Sequence, residues 1–313
     1  MTTTHAVETH GLSKTFGEIR AVDNLSLSVE RGEMFALVGP DGAGKTTTIR
    51  TLCGLLAPTT GSALVMGYDV VQSPELVKKQ LGYLSQRFSL YGDLSVDENI
   101  EFFAEIHKVF DYKERREELL QFTRLTPFRS RLAERLSGGM KQKLALACTL
   151  IHTPEILFLD EPTTGVDPVS RRDFWSILHS LLSRGMTIVL TTPYLDEAER
   201  CTRVAFLNRG SLMVVDEPGN IKKLMKGEIV EIVCEPVRDA HRVLRHHQGV
   251  SEVHMFGDRL NVIVHGHVAD GTALESRLRA GGIEVKSWRV VSPSLENVFI
   301  SLMTRNETRE VPT

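Results

Sequence analysis

The chain reads Met34-Phe35-Ala36-Leu37-Val38, then Gly39-Pro40-Asp41-Gly42-Ala43-Gly44-Lys45-Thr46, then Thr47-Thr48-Ile49-Arg50-Thr51-Leu52. The central segment has the spacing G-x-x-x-x-G-K-[ST] of a phosphate-binding loop. The apolar run before it is short enough for a buried strand, and the run after it can form the first turns of a helix. Strand, glycine loop and helix are the context this motif requires, and they commit the region to an α/β fold. Gly39, Gly42 and Gly44 let the backbone bend until its N–H groups face phosphate oxygens. The helix N-terminus adds partial positive charge. Lys45 can reach the β and γ phosphates, and the Thr46 hydroxyl can hold Mg²⁺.

A second segment, Leu136-Ser137-Gly138-Gly139-Met140-Lys141-Gln142, enters an apolar stretch running from Leu144 to Ile151. It reads as another helix N-terminus able to face an anion. Alone it is as consistent with a simple N-cap. It is followed by the apolar strand Ile156-Leu157-Phe158-Leu159, which ends in Asp160-Glu161. Paired acids after a strand usually form a solvated turn. Beside a phosphate loop, Asp160 can bind Mg²⁺ and Glu161 can polarise an attacking water.

In this order the motifs resemble those of the ATP-binding subunit of ABC transporters, from about residue 6 to about residue 220. The resemblance implies an ABC-type P-loop ATPase core with antiparallel β and helical subdomains. It implies that Gly39, Pro40, Asp41, Gly42, Ala43, Gly44, Lys45, Thr46 and Thr47 contact ATP as the Walker A segment. Asp160 and Glu161 correspond to the Walker B end, and Leu136, Ser137, Gly138, Gly139 and Met140 to the signature that meets the nucleotide of a facing subunit. Gln86 corresponds to the Q-loop glutamine that touches Mg²⁺ and water. Phe16 is similar to the aromatic residue stacking on adenine, Val22 to its apolar neighbour, and Asp167 to the D-loop acid. Catalysis would fall to Glu161, Lys45 and Gln86, with Mg²⁺ held by Thr46, Gln86 and Asp160.

Two positions depart from the pattern. The family's switch histidine follows Thr-Thr, but here the run is Thr191-Thr192-Pro193-Tyr194. Proline has neither an imidazole nor an N–H, so slow turnover is expected. Asp41 stands where asparagine or serine is usual, adding negative charge near the phosphates.

The 313 residues permit two domains, and 42% hydrophobic with 25% charged residues is an ordinary globular balance. A net charge of −3 gives no basic surface, so no nucleic-acid partner is expected. No run approaches the ~18 apolar residues of a membrane span, and the N-terminus carries no apolar leader. Cys53, Cys148, Cys201 and Cys234 are too far apart for a C-x-x-C pair, which fits a reduced setting.

Along the chain, Leu25, Leu27 and Val29 alternate as in a strand with one buried face. Residues 88–153 read as a helical subdomain. Ser95 and Glu98 form a capping box, and Ile100, Phe103, Ile106 and Phe110 recur at helical spacing as core positions. Thr187–Leu190 and Val204–Leu207 resume the strands, with a crossover helix near 172–183. Asn208-Arg209-Gly210-Ser211 reads as a hairpin turn. Asp196, Glu197 and Glu199 read as a solvated acidic helix start.

The ATP-binding domain is expected to span 1–226 and an accessory domain 227–313. In the latter the pattern β-α-β-β-α-β suggests a small α+β ferredoxin-like sandwich. Ser292-Pro293-Ser294-Leu295-Glu296-Asn297-Val298-Phe299 resembles the tail of ATPase subunits of ABC type-2 drug and antibiotic exporters. Six histidines fall in this module: His241, His246, His247, His254, His265 and His267. They are expected to be solvated; the alternative is a metal site from His265, His267 and Asp270.

The resemblance implies a subunit that hydrolyses ATP to energise export through a separate type-2 permease. It would act as a homodimer or heterodimer, peripheral on the cytoplasmic face of the membrane. Two other readings are a nucleotide-gated regulator with little turnover and a soluble ABC ATPase of the translation or repair type.

Overall fold

A computed structural model describes residues 5–86, 90–264 and 271–309, with side chains up to Thr304. His265, His267 and Asp270, and residues 88 and 89 of the expected helical segment, lie outside the described residues. The chain divides into two compact units, 1–215 and 216–313.

The first unit opens with β1 (His5–Phe16) and β2 (Ile19–Glu30), an antiparallel pair whose buried positions Leu12, Val22, Leu25, Leu27 and Val29 face one core. Then follow β3 (Met34–Val38), α1 (Lys45–Leu52), β4 (Thr60–Val65), β5 (Tyr68–Asp69), α2 (Pro74–Gln80) and β6 (Leu81–Leu84). The helical segment contains α3 (Val96–Ile106), α4 (Tyr112–Thr123) and α5 (Gly138–Leu150). Next come β7 (Ile156–Asp160), α6 (Pro168–Ser183), β8 (Thr187–Thr192), α7 (Leu195–Ala198), β9 (Arg203–Asn208) and β10 (Ser211–Asp216).

These strands form two sheets. One is four-stranded, in the order β2-β1-β4-β5, with antiparallel pairing throughout. The other is six-stranded, in the order β10-β9-β3-β8-β7-β6, and β9, β3, β8, β7 and β6 run parallel. Every residue of β3, β7 and β8 is buried. Continuous apolar runs are what a parallel sheet covered on both faces requires. Between β9 and β10, Arg209 and Gly210 have φ of 47° and 83°, the positive pair of a type I′ hairpin.

The capping box forms. The Glu98 N–H donates to Ser95 Oγ at 3.2 Å, and the Ser95 N–H donates to Glu98 Oε2 at 2.7 Å. The apolar run does not stay helical to Phe110. Helix α3 ends at Ile106, and Lys108 takes a left-handed φ of 58°. The i,i+4 register is lost there, and Ile106 and Phe110 are 55% and 85% exposed rather than core.

The second unit contains α8 (Pro218–Lys222), β11 (Glu228–Glu235), α9 (Val237–Leu244), β12 (Val250–Phe256), β13 (Arg259–Val264), α10 (Gly271–Ala280), β14 (Glu284–Val291) and α11 (Leu295–Arg309). Its four-stranded antiparallel sheet has the order β12-β13-β11-β14. Val230, Ile232, Leu260, Val262, Leu274 and Leu278 form a core of its own. The unit begins ahead of the Lys226-Gly227 junction, because α8 packs on α11. His254 is not solvated: it is 7% exposed, and its Nε2 lies 3.0 Å from Glu252 Oε2.

Candidate functional site

The loop 39–44 joins the buried end of β3 to α1. Gly44 caps the helix at φ 97°, and Gly42 has φ 79°, both in the region that favours glycine. The loop is braced from behind. A Cβ on Gly39 would come 2.3 Å from the Leu207 carbonyl oxygen, and one on Gly44 would come 2.3 Å from that of Ala21. The Gly210 N–H donates to the Ala43 carbonyl at 3.1 Å. Neither glycine can carry a side chain without moving main chain.

Lys45 is 4% exposed. Its Nζ donates to the carbonyls of Gly39 and Pro40 at 2.8 and 3.1 Å, and lies 3.6 Å from Glu161 Oε1. Thr46 Oγ1 donates to Asp160 Oδ1 at 3.0 Å, and Thr191 Oγ1 donates to the same oxygen at 2.7 Å. Asp160 is fully buried, and its Oδ2 has no hydrogen-bond partner. Burial, and next the Asp160 charge, push the Cys53 thiol well above its usual range.

Glu161 has a left-handed φ of 50°. Its N–H is held by Thr191 Oγ1 at 2.9 Å, and its Oε2 accepts from Gln86 Nε2 at 3.0 Å and from Thr164 Oγ1 at 3.3 Å. The parallel register aligns β7 with β8 and β8 with β3, so the loops after all three strands open at one sheet end. Asp41, Gly42, Ala43, Gly44, Lys45, Thr46, Thr47, Gln86 and Glu161 line a cleft of about 690 Å³ there. Pro40 is half-buried at its edge, its carbonyl turned to Lys45.

Ile19, Arg20, Ala21 and Arg209 also line the cleft, and none of them stood out in sequence. Only the turn pattern around Arg209 gave a local signal. Phe16 is 46% exposed and pairs with Ile19 across the β1–β2 turn. Val22 is 1% exposed and lies in the core, whereas Ile19 is 72% exposed. The apolar surface offered beside Phe16 therefore comes from Ile19.

The signature segment is outside this cleft. Ser137 caps α5, accepting from the Met140 N–H at 3.3 Å, and Ser137 and Gly138 are exposed. Leu136 is buried and Met140 half-buried. Gly139 packs so closely on α6 that a Cβ would meet Ser170 Cβ at 2.2 Å. Asp167 caps α6, accepting from the N–H groups of Val169 and Ser170 at 3.1 and 2.9 Å. Hydrogen bonds from Ser170 hold its carboxyl below the usual range. Pro193 is half-buried, directly after β8.

Residues 22–164 match the family described as ABC transporter, and residues 217–303 match the C-terminal domain of the ATP-binding protein DrrA1-3-like family. Over 218 residues the chain is 44% identical to the probable multidrug ABC transporter ATP-binding protein YbhF of Escherichia coli (strain K12). That match covers 69% of this chain but 38% of YbhF. Over 308 residues it is 35% identical to the daunorubicin/doxorubicin resistance ATP-binding protein DrrA of Streptomyces peucetius, covering 96% of this chain and 92% of that protein. A solved dimeric bacterial ABC transporter cassette superposes with a TM-score of 0.61 at 26% identity, over 67% of this chain and 98% of that one. Two units matched in order, with near full-length coverage of DrrA, place the chain in the family of ABC transporter ATP-binding proteins.

Proposed function

We propose that this protein is the ATP-hydrolysing subunit of an exporter, coupled to a separate type-2 membrane permease. One observation carries the hydrolytic part: Lys45, Thr46, Asp160, Glu161 and Gln86 converge on one cleft from three separated segments. Backbone N–H groups of the loop and Lys45 would hold the phosphates. The oxygen-only set of Thr46, Asp160 and Gln86, with a buried Asp160 oxygen free of hydrogen bonds, fits Mg²⁺. When bound, that ion would neutralise phosphate charge. Glu161 accepts a hydrogen bond from the attacking water and orients it in line with the γ-phosphate. Gln86 keeps the Glu161 carboxylate turned towards the cleft.

The likeness to a probable multidrug ABC transporter ATP-binding protein and to the drug-resistance ATP-binding protein DrrA supports the partner. Among the described residues no helix is long and apolar enough to cross a membrane, so the membrane passage is assigned to the permease. The chain would sit peripherally on the cytoplasmic face. Ser137 and Gly138, exposed and away from their own cleft, would meet the nucleotide of a second copy. Units 1–215 and 216–313 are read as the nucleotide-binding and accessory domains.

Replacing Lys45 tests the site. Lys45→Ala removes the only side-chain cation of the loop and should weaken ATP binding by about tenfold or more. Unchanged affinity in a titration would show that the loop does not hold the phosphates. ATPase assays with and without a co-expressed type-2 permease test coupling. No turnover in either would favour a nucleotide-gated regulator.

A further inference from the structure

Asp196 and Glu199 are exposed, as a solvated acidic helix start requires, but Glu197 is 1% exposed. An unpaired buried carboxylate costs several kcal/mol or more, so its partners must compensate. Its Oε1 accepts from Thr163 Oγ1 at 2.5 Å and its Oε2 from Thr192 Oγ1 at 2.8 Å. Arg171 places Nε 3.6 Å from Oε1, and its guanidinium lies 4.6 Å from the centre of the Tyr194 ring. Glu197 thus joins three segments: the turn after β7, the end of β8, and α6, which Asp167 caps.

Two of these segments carry the chemistry. Thr163 lies in the turn that begins with Glu161, where the Thr164 N–H donates to the Glu161 carbonyl at 3.3 Å. Thr192 directly precedes Pro193, and its Oγ1 also accepts the Tyr194 N–H at 3.0 Å. Glu161 keeps a left-handed φ that a non-glycine residue holds only when its surroundings enforce it. Thr191 fixes its N–H, and the Thr163–Glu197–Thr192 chain fixes the turn that follows.

We propose that Glu197 is a positioning residue for ATP hydrolysis, clasping the Glu161 turn to the β8–Pro193 loop so that the two move as one body. The inference rests on the hydrolytic reading of the cleft. Thr163, Thr192 and Arg171, the side chains that Glu197 binds, do not line the cleft, so its effect falls on the placement of Glu161 rather than on nucleotide contacts.

The test uses the full chain with Glu197→Gln and, as a second variant, Thr163→Val. Glutamine keeps the shape but gives one hydroxyl an N–H₂ where it needs an acceptor, and it leaves Arg171 without its charge partner. ATP affinity and melting temperature should stay close to those of the native chain, while kcat falls by about tenfold or more. Thr163→Val should lower kcat similarly, and the double variant should cost little beyond either single change. Hydrogen exchange in the nucleotide-free chain gives a readout independent of turnover. In Glu197→Gln, amides of both 161–166 and 193–198 should exchange faster. Native kcat in both variants overturns the proposal. So does faster exchange confined to 193–198, or a loss of affinity and melting temperature in proportion to kcat. If the native chain binds ATP without turning it over, the hydrolytic reading fails, and the exchange result alone decides whether the clasp exists.

Discussion

Asp160 ends one parallel strand and Pro193 follows its neighbour, yet they differ in what they can give a phosphate. Asp160 is buried with one oxygen taken by two threonine hydroxyls and the other without a hydrogen bond. That leaves it poised for a hard cation. Pro193 can donate nothing. A histidine there could donate to the γ-phosphate, and losing one such charge-assisted bond in the transition state costs about 2–4 kcal/mol, or about 30- to 1,000-fold in rate. Glu161, Lys45 and Gln86 remain in place, so hydrolysis should be slowed and not abolished. Pro193→His is expected to raise kcat by about tenfold or more while leaving ATP affinity nearly unchanged. Steady-state kinetics and a nucleotide titration check both halves. Rapid native turnover that the histidine does not change would show that another group makes this contact.

Among the elements, α3 and α5 meet through two histidines. His107 caps the end of α3 and stacks on His152 after α5, with ring centroids 3.9 Å apart and planes 7° from parallel. Burial first, and then the His152 ring, push His107 down to about 4, and burial also lowers His152. Both rings are therefore neutral in the fold near pH 7. A histidine depressed on folding contributes stability that is full above its unfolded value near 6.5 and is lost as pH falls towards 4. An NMR titration should place His107 well below 6, and His107→Gln should flatten the fall in melting temperature across that window. Identical profiles for both chains would refute it. Neither this stack nor the burial of Glu197 was legible in sequence, because both depend on partners from distant segments: Thr163 lies 34 positions before Glu197. Exchange of Val22 for Ile19 beside Phe16 had the same cause, since alternation along β2 says which residues share a face but not which face meets the cleft. The phosphate loop and the β11–β14 order were legible for the opposite reason. Phosphate chemistry demands fixed residue types at fixed spacing, and the second unit announces its order through short strand and helix runs that follow one another along the chain.

At the scale of the whole molecule, each half of the proposed ATP-binding arrangement is built, but they lie apart on one chain. The cleft has the phosphate loop, and α5 presents exposed Ser137 and Gly138. A second copy facing the first would bring them together and make ATP part of the interface. Glu161→Gln removes the carboxylate that orients water while keeping an oxygen for Gln86 and Thr164. In saturating Mg-ATP this variant should run as a stable dimer by light scattering, and a monomer would count against a shared site. The second unit should be dispensable for nucleotide binding, because every cleft-lining residue lies between Ile19 and Arg209. Where the chain is cut matters. Ending it at Asp216 keeps β10 whole and removes the second unit with its own core. Ending it at Lys226 leaves α8 without α11, on which it packs, and exposes Ile221, which is fully buried in the intact chain. The shorter chain should melt cooperatively and bind ATP with native affinity. The longer one should bind equally well but scatter more light on standing, since Ile221, the buried residue of α8, loses its cover. Both should fail to support export in cells if the second unit serves assembly. A chain ending at Asp216 that melts cooperatively yet has lost ATP would mean that the second unit contributes to the nucleotide site itself.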